Sequence, residues 1–370
     1  MDWITWLIWV IKSLVLILGL LTGFAYLTLY ERRALARIQT RIGPNRAGPQ
    51  GLLQPIADAV KLIFKEELTP AKADKLIFFL APIITMVPSL VIAAVIPWGT
   101  SVRMFGREIT LYMADINVGV LYLMAIASIA VYGIVLAGWS SNNKYAMLGG
   151  LRSTAQMISY EISLGLSFVT VILLADSMRM LDIVEAQSGL WFVFIQPVGA
   201  LIFLTATLAE VNRAPFDMPE AEQELTAGYH SEYSGMKFAL FFMAEYQKMI
   251  VISAIAATVF FGGFRGPFVD QIPWLGPLYL FIKVVILLFG MIWVRATFPR
   301  IRYDRLMALG WKILLPLALA IVFITATGIL LAQQFGAAFM WFIPVVSLMA
   351  GFVAVVAIDR TLRRKYHATR

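Results

Sequence analysis

The stretch "AEVNRAPFDMPEAEQELTAGYHSEYSG", residues 209–235, gathers six carboxylates (Glu210, Asp217, Glu220, Glu222, Glu224 and Glu232) around one arginine, Arg213. The whole chain carries 30 lysines and arginines against 22 acids, so a basic protein concentrates negative charge here. Crowded carboxylates raise one another's pKa and share protons. With Arg213 close by, the cluster can hold or release a proton in response to a nearby charge. A solvated acidic loop is the plainer reading of the same composition. Phe216, Met218, Leu225, Tyr229 and Tyr233 count against full solvation. Pro215 and Pro219 exclude a regular helix through the segment. Glu220, Glu222 and Glu224 alternate, so they share one face only if the backbone is extended.

Other ionisable groups stand inside apolar runs. Glu161 lies in "QMISYEISLGL", Glu245 and Lys248 in "FFMAEYQKMI", Lys283 in a later run, and Glu210 closes the run before the acidic segment. A charge within a bilayer is costly; it usually faces the protein interior, where it carries protons or ions or is paired. Glu245 and Lys248 are three apart on one helical face, which allows a local ion pair. Glu161 has no local partner. It is either half of a tertiary ion pair or a proton carrier.

The elements that hold these groups are membrane spans. Of 370 residues, 60% are hydrophobic and 14% charged, with mean hydropathy +0.81. A soluble domain has roughly 25% charged residues. Apolar runs of about 20 residues recur, the mark of spanning helices, whereas barrel strands would be alternating segments of about 10. The runs predict nine spans, near 3–29, 76–97, 115–138, 155–176, 190–210, 238–262, 275–296, 311–333 and 339–358. Trp98, Trp139, Trp191, Trp274, Trp311 and Trp341 mark many of their ends, where amphipathic rings prefer to lie. The first run has no basic leader and is too long for a signal peptide, so it reads as a retained span. Neither a linker nor an internal repeat divides the chain. The expectation is one all-α domain, 1–370, integral to the lipid bilayer.

Composition also excludes chemistry. The chain has no cysteine and only two histidines, His230 and His367, both in polar segments. It therefore lacks disulfides, the thiolates that iron–sulfur clusters normally need, and a bis-histidine haem site between spans. No catalytic triad, phosphate loop, dinucleotide fingerprint, zinc motif or nucleic-acid-binding pattern is present. The sequence predicts no metal ligands and no catalytic residues of its own.

Two features of the first connection add to the picture. "GPNRAGPQG" repeats Gly-Pro at a five-residue interval, which defines a pair of turns; Arg41 and Arg46 flank the first. They are either charge on a tight loop or groups for a specific contact. In "LLQPIADAVKLIFKE", Leu53, Ile56, Val60, Ile63 and Phe64 recur at helical steps, with Gln54, Asp58, Lys61 and Lys65 as the polar stripe. Such a short helix lies in the interface, as an anchor or as the floor of a cavity open to the membrane.

The motifs "YERR" (30–33), "RIGPNRAGPQGLLQPIADAVKLIFKE" (41–66), "VYGIVLAGWSSNNKYAMLGGLRSTAQMISYEI" (131–162), "AEVNRAPFDMPEAEQELTAGYHSEYSGMKFALFFMAEY" (209–246) and "RATFPRIRYDRLMALGWK" (295–312) resemble the H-subunit family of proton-pumping NADH–quinone oxidoreductase, respiratory complex I. The similarity covers about residues 30–315; the last span is the variable part. The resemblance implies a subunit that joins the membrane arm to the peripheral arm, lines the approach to a quinone chamber and couples quinone reduction to proton translocation. Quinone is then the substrate, while FMN and iron–sulfur clusters belong to partner subunits. The implied partners are the peripheral-arm quinone-site subunits and the small and antiporter-like membrane subunits, in a bacterial inner membrane.

By the same resemblance, Glu31, Arg32 and Arg41 line the chamber and its approach, and Lys61, Lys65 and Glu66 sit on the interfacial helix beside it. Arg213, Phe216, Asp217, Glu220, Glu222 and Glu224 belong to the acidic loop beneath the quinone path. Arg295, Arg300 and Arg302 face the same region. Glu161, Glu210 and Glu245 begin a buried charged axis toward the antiporter-like subunits, in an expected order Glu210, Glu161, Glu245. The same type of subunit in a ferredoxin–plastoquinone oxidoreductase or a membrane-bound hydrogenase is the alternative, and a stand-alone ion transporter a more distant one.

Orientation follows from charge. Segments 30–75, 139–153, 211–237, 295–310 and 359–370 together hold 22 lysines and arginines; the N-terminus, 98–114, 177–189, 263–274 and 334–338 hold 4. The positive side stays in the cytoplasm, so the N-terminus lies outside and the C-terminus inside. A reporter fused after Arg370 is expected in the cytoplasm and one within 177–189 outside; an external C-terminal reporter would reverse the orientation.

Overall fold

The computed structural model describes residues 3–104, 107–217 and 226–368. Helix α1 (Trp3–Ile38) is followed by a short α2 (Gln54–Ile63), then α3 (Lys75–Ala93). A small antiparallel hairpin, β1 (Ser101–Met104) and β2 (Arg107–Thr110), pairs Ser101 with Thr110. Next come α4 (Gly119–Ser140), α5 (Lys144–Ala175), α6 (Met180–Ala186), α7 (Phe192–Ile195) and α8 (Pro197–Glu210). After the acidic loop run α9 (Gly235–Phe260), α10 (Leu275–Thr297) and α11 (Tyr303–Leu309). A π-helical turn (Gly310–Leu314) leads into α12 (Leu315–Phe335), and α13 (Phe342–Ala368) ends the described chain.

Eight helical segments among the described residues are long and apolar enough to cross a membrane. The segment expected as a span at 190–210 is broken instead. Pro197 lacks the N–H that a continuous helix needs, and Gln196 leaves the helical region at φ −127°, ψ 60°. The remaining α8 has 14 residues, about 21 Å, against a hydrocarbon core of about 30 Å. Gln196 is completely buried and donates its side-chain amide to the Thr325 hydroxyl of α12. The break is thus packed inside the bundle, where irregular backbone is tolerated. A second difference concerns α1, which runs on through "YERRALARI" to Ile38. Alanine, leucine and arginine are strong helix formers, so the helix continues past the apolar run and carries Glu31 on its extension.

The core lies around α9, packed by α3, α5, α8 and α10. Helices α3 and α4 approach closely because Gly133 lets them: a Cβ there would lie 2.8 Å from the Ala81 carbonyl oxygen. Small residues at crossings are the usual device of spanning bundles. Gly149 in α5 similarly admits the backbone of Gly228 and Tyr229, which return from the acidic loop. Tyr233 then stacks on Phe78 of α3 with centroids 4.0 Å apart and donates to its carbonyl. Burial pushes the Tyr233 hydroxyl up to about 12, so it remains a donor at neutral pH. These contacts fasten the C-terminal end of the loop to α3 and α5.

Helix α2 presents Ile56, Val60 and Ile63 outward, each about half exposed, and Phe64 follows at 84% exposure. Its polar side holds Asp58, which pairs with Arg32 at 2.8 Å and lies 3.8 Å from Lys61.

Candidate functional site

The groups singled out by type converge where α1, α8, α9 and α10 meet the first residues of the acidic loop. Helix α8 ends at Glu210, and the chain turns through Asn212 at φ +54° and a cis Ala214–Pro215 bond. Gln156 of α5, fully buried, clasps this turn. Its amide donates to the Ala209 carbonyl (2.7 Å), the Asn212 side-chain oxygen (3.2 Å) and the Phe216 carbonyl (2.8 Å). Phe216 packs beneath against Tyr160. The clasp aims Arg213 into the protein, where it is only 8% exposed.

Arg213 is the hub. Its Nη1 lies 3.6 Å from Glu31 Oε1, its Nη2 3.7 Å from Glu245 Oε2, and its guanidinium stands 4.2 Å over the Tyr246 ring. Glu31, 2% exposed, also accepts a hydrogen bond from Arg295 of α10. One turn of α9 beyond Glu245, Lys248 places Nζ 2.9 Å from Glu210 Oε1 and 3.2 Å from the Glu210 carbonyl oxygen. The row Arg295, Glu31, Arg213, Glu245, Lys248, Glu210 therefore alternates in sign, three cations with three carboxylates. A charge removed from water costs several kcal/mol unless it is paired and hydrogen-bonded, and alternation supplies each member with an opposite neighbour.

A cavity of about 30 Å³ separates part of this row, with Glu210, Glu245, Lys248, Asn212 and Ser89 on its wall. That is room for about two water molecules. A second of about 40 Å³ shares Ser89, Glu210 and Lys248 with it and extends toward Leu164 and Phe168 of α5. Ser89 donates to Gln247 at 2.9 Å beside both. Both linings are mainly apolar, with Ser89, Glu210 and Lys248 as the polar residues common to them.

The remaining expected residues fall into three settings. Asp217 pairs with Arg300 at 2.8 Å at the outer edge of the turn. Arg302 is exposed and pairs with its own neighbour Asp304 at 3.1 Å. Arg41, Lys65 and Glu66 are exposed, Arg41 donating to Gln39. Glu220, Glu222 and Glu224, with Met218 and Pro219, lie outside the described residues.

Glu161 stands apart from the row. It accepts a hydrogen bond from the Ser128 hydroxyl of α4, and no ion pair to it is found among the described residues. It lines neither cavity; Glu210 and Glu245 share the first of them with Lys248, whereas the expected sequence of groups put Glu161 between the two. Lys248 also departs from expectation: its ion pair is with Glu210 on another helix, and Glu245 turns to Arg213. Spacing along one helix reveals neighbours on that helix only. Gln156, Ser128 and Tyr246 carried no signal as single residues. Their roles depend on which helices pack together. Among the described residues no group of three or more histidines and acids is placed to hold a metal ion.

Residues 11–326 match the family model for NADH dehydrogenase. Over 305 residues the chain is 54% identical to an H subunit of NADH-quinone oxidoreductase from Geobacter sulfurreducens, covering 82% of this chain and 91% of the relative. It is 51% identical over 329 residues to the H subunit of NADH-quinone oxidoreductase from Thermomicrobium roseum, covering 86% and 95%. With the corresponding protein of Deinococcus deserti the identity is 49% over 375 residues, covering 99% and 94%.

Removing the hub should cost stability. Arg213→Met takes from Glu245 a buried cationic neighbour, while Glu31 keeps Arg295. The expected loss is roughly 3–5 kcal/mol, with much of it regained when Glu245→Met is added. Heat-inactivation midpoints of the detergent-extracted protein measure both; an unchanged midpoint for Arg213→Met would contradict the hub.

Proposed function

The chain belongs to the NADH dehydrogenase family, and we propose that within a proton-translocating NADH:quinone oxidoreductase it forms the membrane subunit that receives the charge change of quinone reduction and passes it sideways through buried carboxylates. The names of its relatives supply the electron donor, the quinone acceptor and membership of a multi-subunit complex. The chain is a multi-pass membrane protein and contains no complete active site by itself. It acts as one subunit of a translocase. FMN and iron–sulfur clusters then belong to partner subunits, as do the groups that hold the quinone headgroup. We assign the complex to the bacterial inner membrane, with the N-terminus outside.

The observation that carries this reading is the position of Arg213. It belongs to the acidic loop, yet its guanidinium lies between Glu31 of α1 and Glu245 of α9. A change of charge at the loop is therefore felt directly by the buried row. At an effective dielectric of ~20, a unit charge at ~8 Å is worth roughly 2 kcal/mol, about 1.5 pKa units, enough to switch a poised carboxylate. Arg32, Arg41, Lys61, Lys65 and Glu66 sit along the α1–α2 side, where we place the quinone approach. The exposed apolar face of α2 suits a helix lying in the interface at its mouth. Asp217, Arg300 and Arg302 rim the same region, and the carboxylates of Glu220, Glu222 and Glu224 complete the loop's charge. Beyond the row, Glu161 carries the change toward neighbouring antiporter-like subunits.

Glu161 provides the test. A hydroxyl rather than a cation holds it, so Glu161→Gln strands no buried charge and keeps hydrogen bonds while losing the ability to take a proton. The complex should assemble at normal abundance on a native gel and show depressed quinone-dependent proton pumping, with Glu161→Asp retaining part of it. Full pumping by Glu161→Gln would remove Glu161 from the path, and loss of the assembled complex would make it a structural group.

A further inference from the structure

Helix α2 is tied to the rest of the protein from two sides. On the α1 side, Arg32 pairs with Asp58 at 2.8 Å, and Arg33 donates to the Gln50 carbonyl just before α2. On the other side, residues 65–67, which leave α2, meet the first turn of α9. Ser234 donates its hydroxyl to the Glu66 carbonyl at 3.2 Å. Gly235 has φ +58°, and a Cβ there would lie 3.1 Å from the Lys65 carbonyl oxygen. Lys237 places Nζ 3.3 Å from Glu67 Oε2 and 5.5 Å over the Phe78 ring of α3. Its side chain is 13% exposed against 46% for its partner. A nearly buried ammonium needs an anion, and among the described residues Glu67 supplies it. Phe78 is also the ring on which Tyr233 stacks, so this corner of α3 is fixed. Between the two ties, α2 turns Ile56, Val60 and Ile63 outward, with Phe64 after them.

We propose that Lys237 is a positioning residue for the quinone: through Glu67 it holds α2 at the mouth of the approach, where the outward face of the helix bears on the quinone's hydrophobic tail rather than on its headgroup. The inference rests on the quinone approach proposed above. When the headgroup has gone in, a long tail still trails back through the mouth and crosses α2. A short tail ends before it reaches the helix. Without the tie, α2 is held on its Arg32–Asp58 side alone. The tail must then order the helix as it binds, which weakens binding. The reduction itself is untouched, because Lys237 pairs with Glu67 and not with a member of the charged row.

Steady-state quinone reduction by the assembled complex, with one long-tailed and one short-tailed quinone, separates a positioning role from a structural one. Lys237→Met keeps the stem over Phe78 and removes the charge. Glu67→Gln removes the other half of the pair. Both should raise KM for the long-tailed quinone roughly two- to fivefold, the size of a partly exposed ion pair. In both, kcat and the KM of the short-tailed quinone should stay unchanged. Lys237→Arg keeps the pair and should keep the KM of the unmodified complex. An unchanged long-tailed KM in Lys237→Met and Glu67→Gln would overturn the proposal. So would an equal rise for both quinones, a fall in kcat, or loss of the assembled complex, each of which would make the pair a general structural tie. Ile56→Asp, on the outward face of α2, tests the approach itself. If it raises the long-tailed KM while Lys237→Met does not, the tie alone is refuted. If Ile56→Asp leaves that KM unchanged, α2 does not border the approach, and the reading on which this inference rests fails with it.

Discussion

A guanidinium does not give up its proton at any physiological pH, so Arg213, once drawn inside the helix bundle, must meet negative charge there. This requirement organises the centre of the protein. Glu31 and Glu245 come from helices far apart in the chain, and Arg213 brings them to one place. Arg295 completes the charge around Glu31, and Lys248 answers Glu210. An apolar interior of the same volume would be about as stable or more so, so stability alone does not account for burying Glu31, Arg213 and Glu210, with Glu245 and Lys248 nearly buried and Arg295 half-buried beside them. Their presence is better explained by what alternating, closely matched charges do: a disturbance at one alters the balance at the next.

The helices serve this arrangement in identifiable ways. Helix α1 must continue past its apolar stretch for Glu31 to reach the row. Helix α8 must stop at Glu210 so that the chain can turn and aim Arg213 inward. Gln156 holds that turn through three acceptors, which makes α5 the scaffold of the loop rather than only a span. On the other side of the acidic segment, Tyr229 and Tyr233 pack against Phe241 and Phe78. Both ends of the charged loop are thus anchored by neutral contacts, to which Asp217 adds an ion pair with Arg300 and Glu232 a hydrogen bond from Asn143.

Much of this was legible in the sequence, for physical reasons that also mark where legibility ended. Long apolar runs allow few structures other than spanning helices, so the all-α class and most helix positions followed directly. The rarity of charge inside such runs pointed to Glu161, Glu210, Glu245 and Lys248, and the long motifs carried the family resemblance. Pairing was not legible. The three-residue spacing of Glu245 and Lys248 suggested a local pair, whereas tertiary packing gave each a partner from another segment. Pro197 within an apolar run was an available signal for the broken segment at 190–210, outweighed there by hydropathy. Ser128 as the partner of Glu161, and Gln156 as the clasp, depend on helix contacts that no one-dimensional pattern contains.

Through Arg213 the row behaves as one electrostatic unit. Glu31 and Glu245 lie on separate helices and share that arginine, so a double-mutant cycle on them is the most direct measurement. Glu31→Gln, Glu245→Gln and the double variant would be compared by the heat-inactivation midpoint of the assembled complex. Each single change leaves Arg213 one of these two carboxylates, while the double removes both. The double variant is expected to lose more than the sum of the singles, by roughly 0.5–3 kcal/mol. Simple additivity would contradict it, because two carboxylates that do not share a partner have no reason to know of one another.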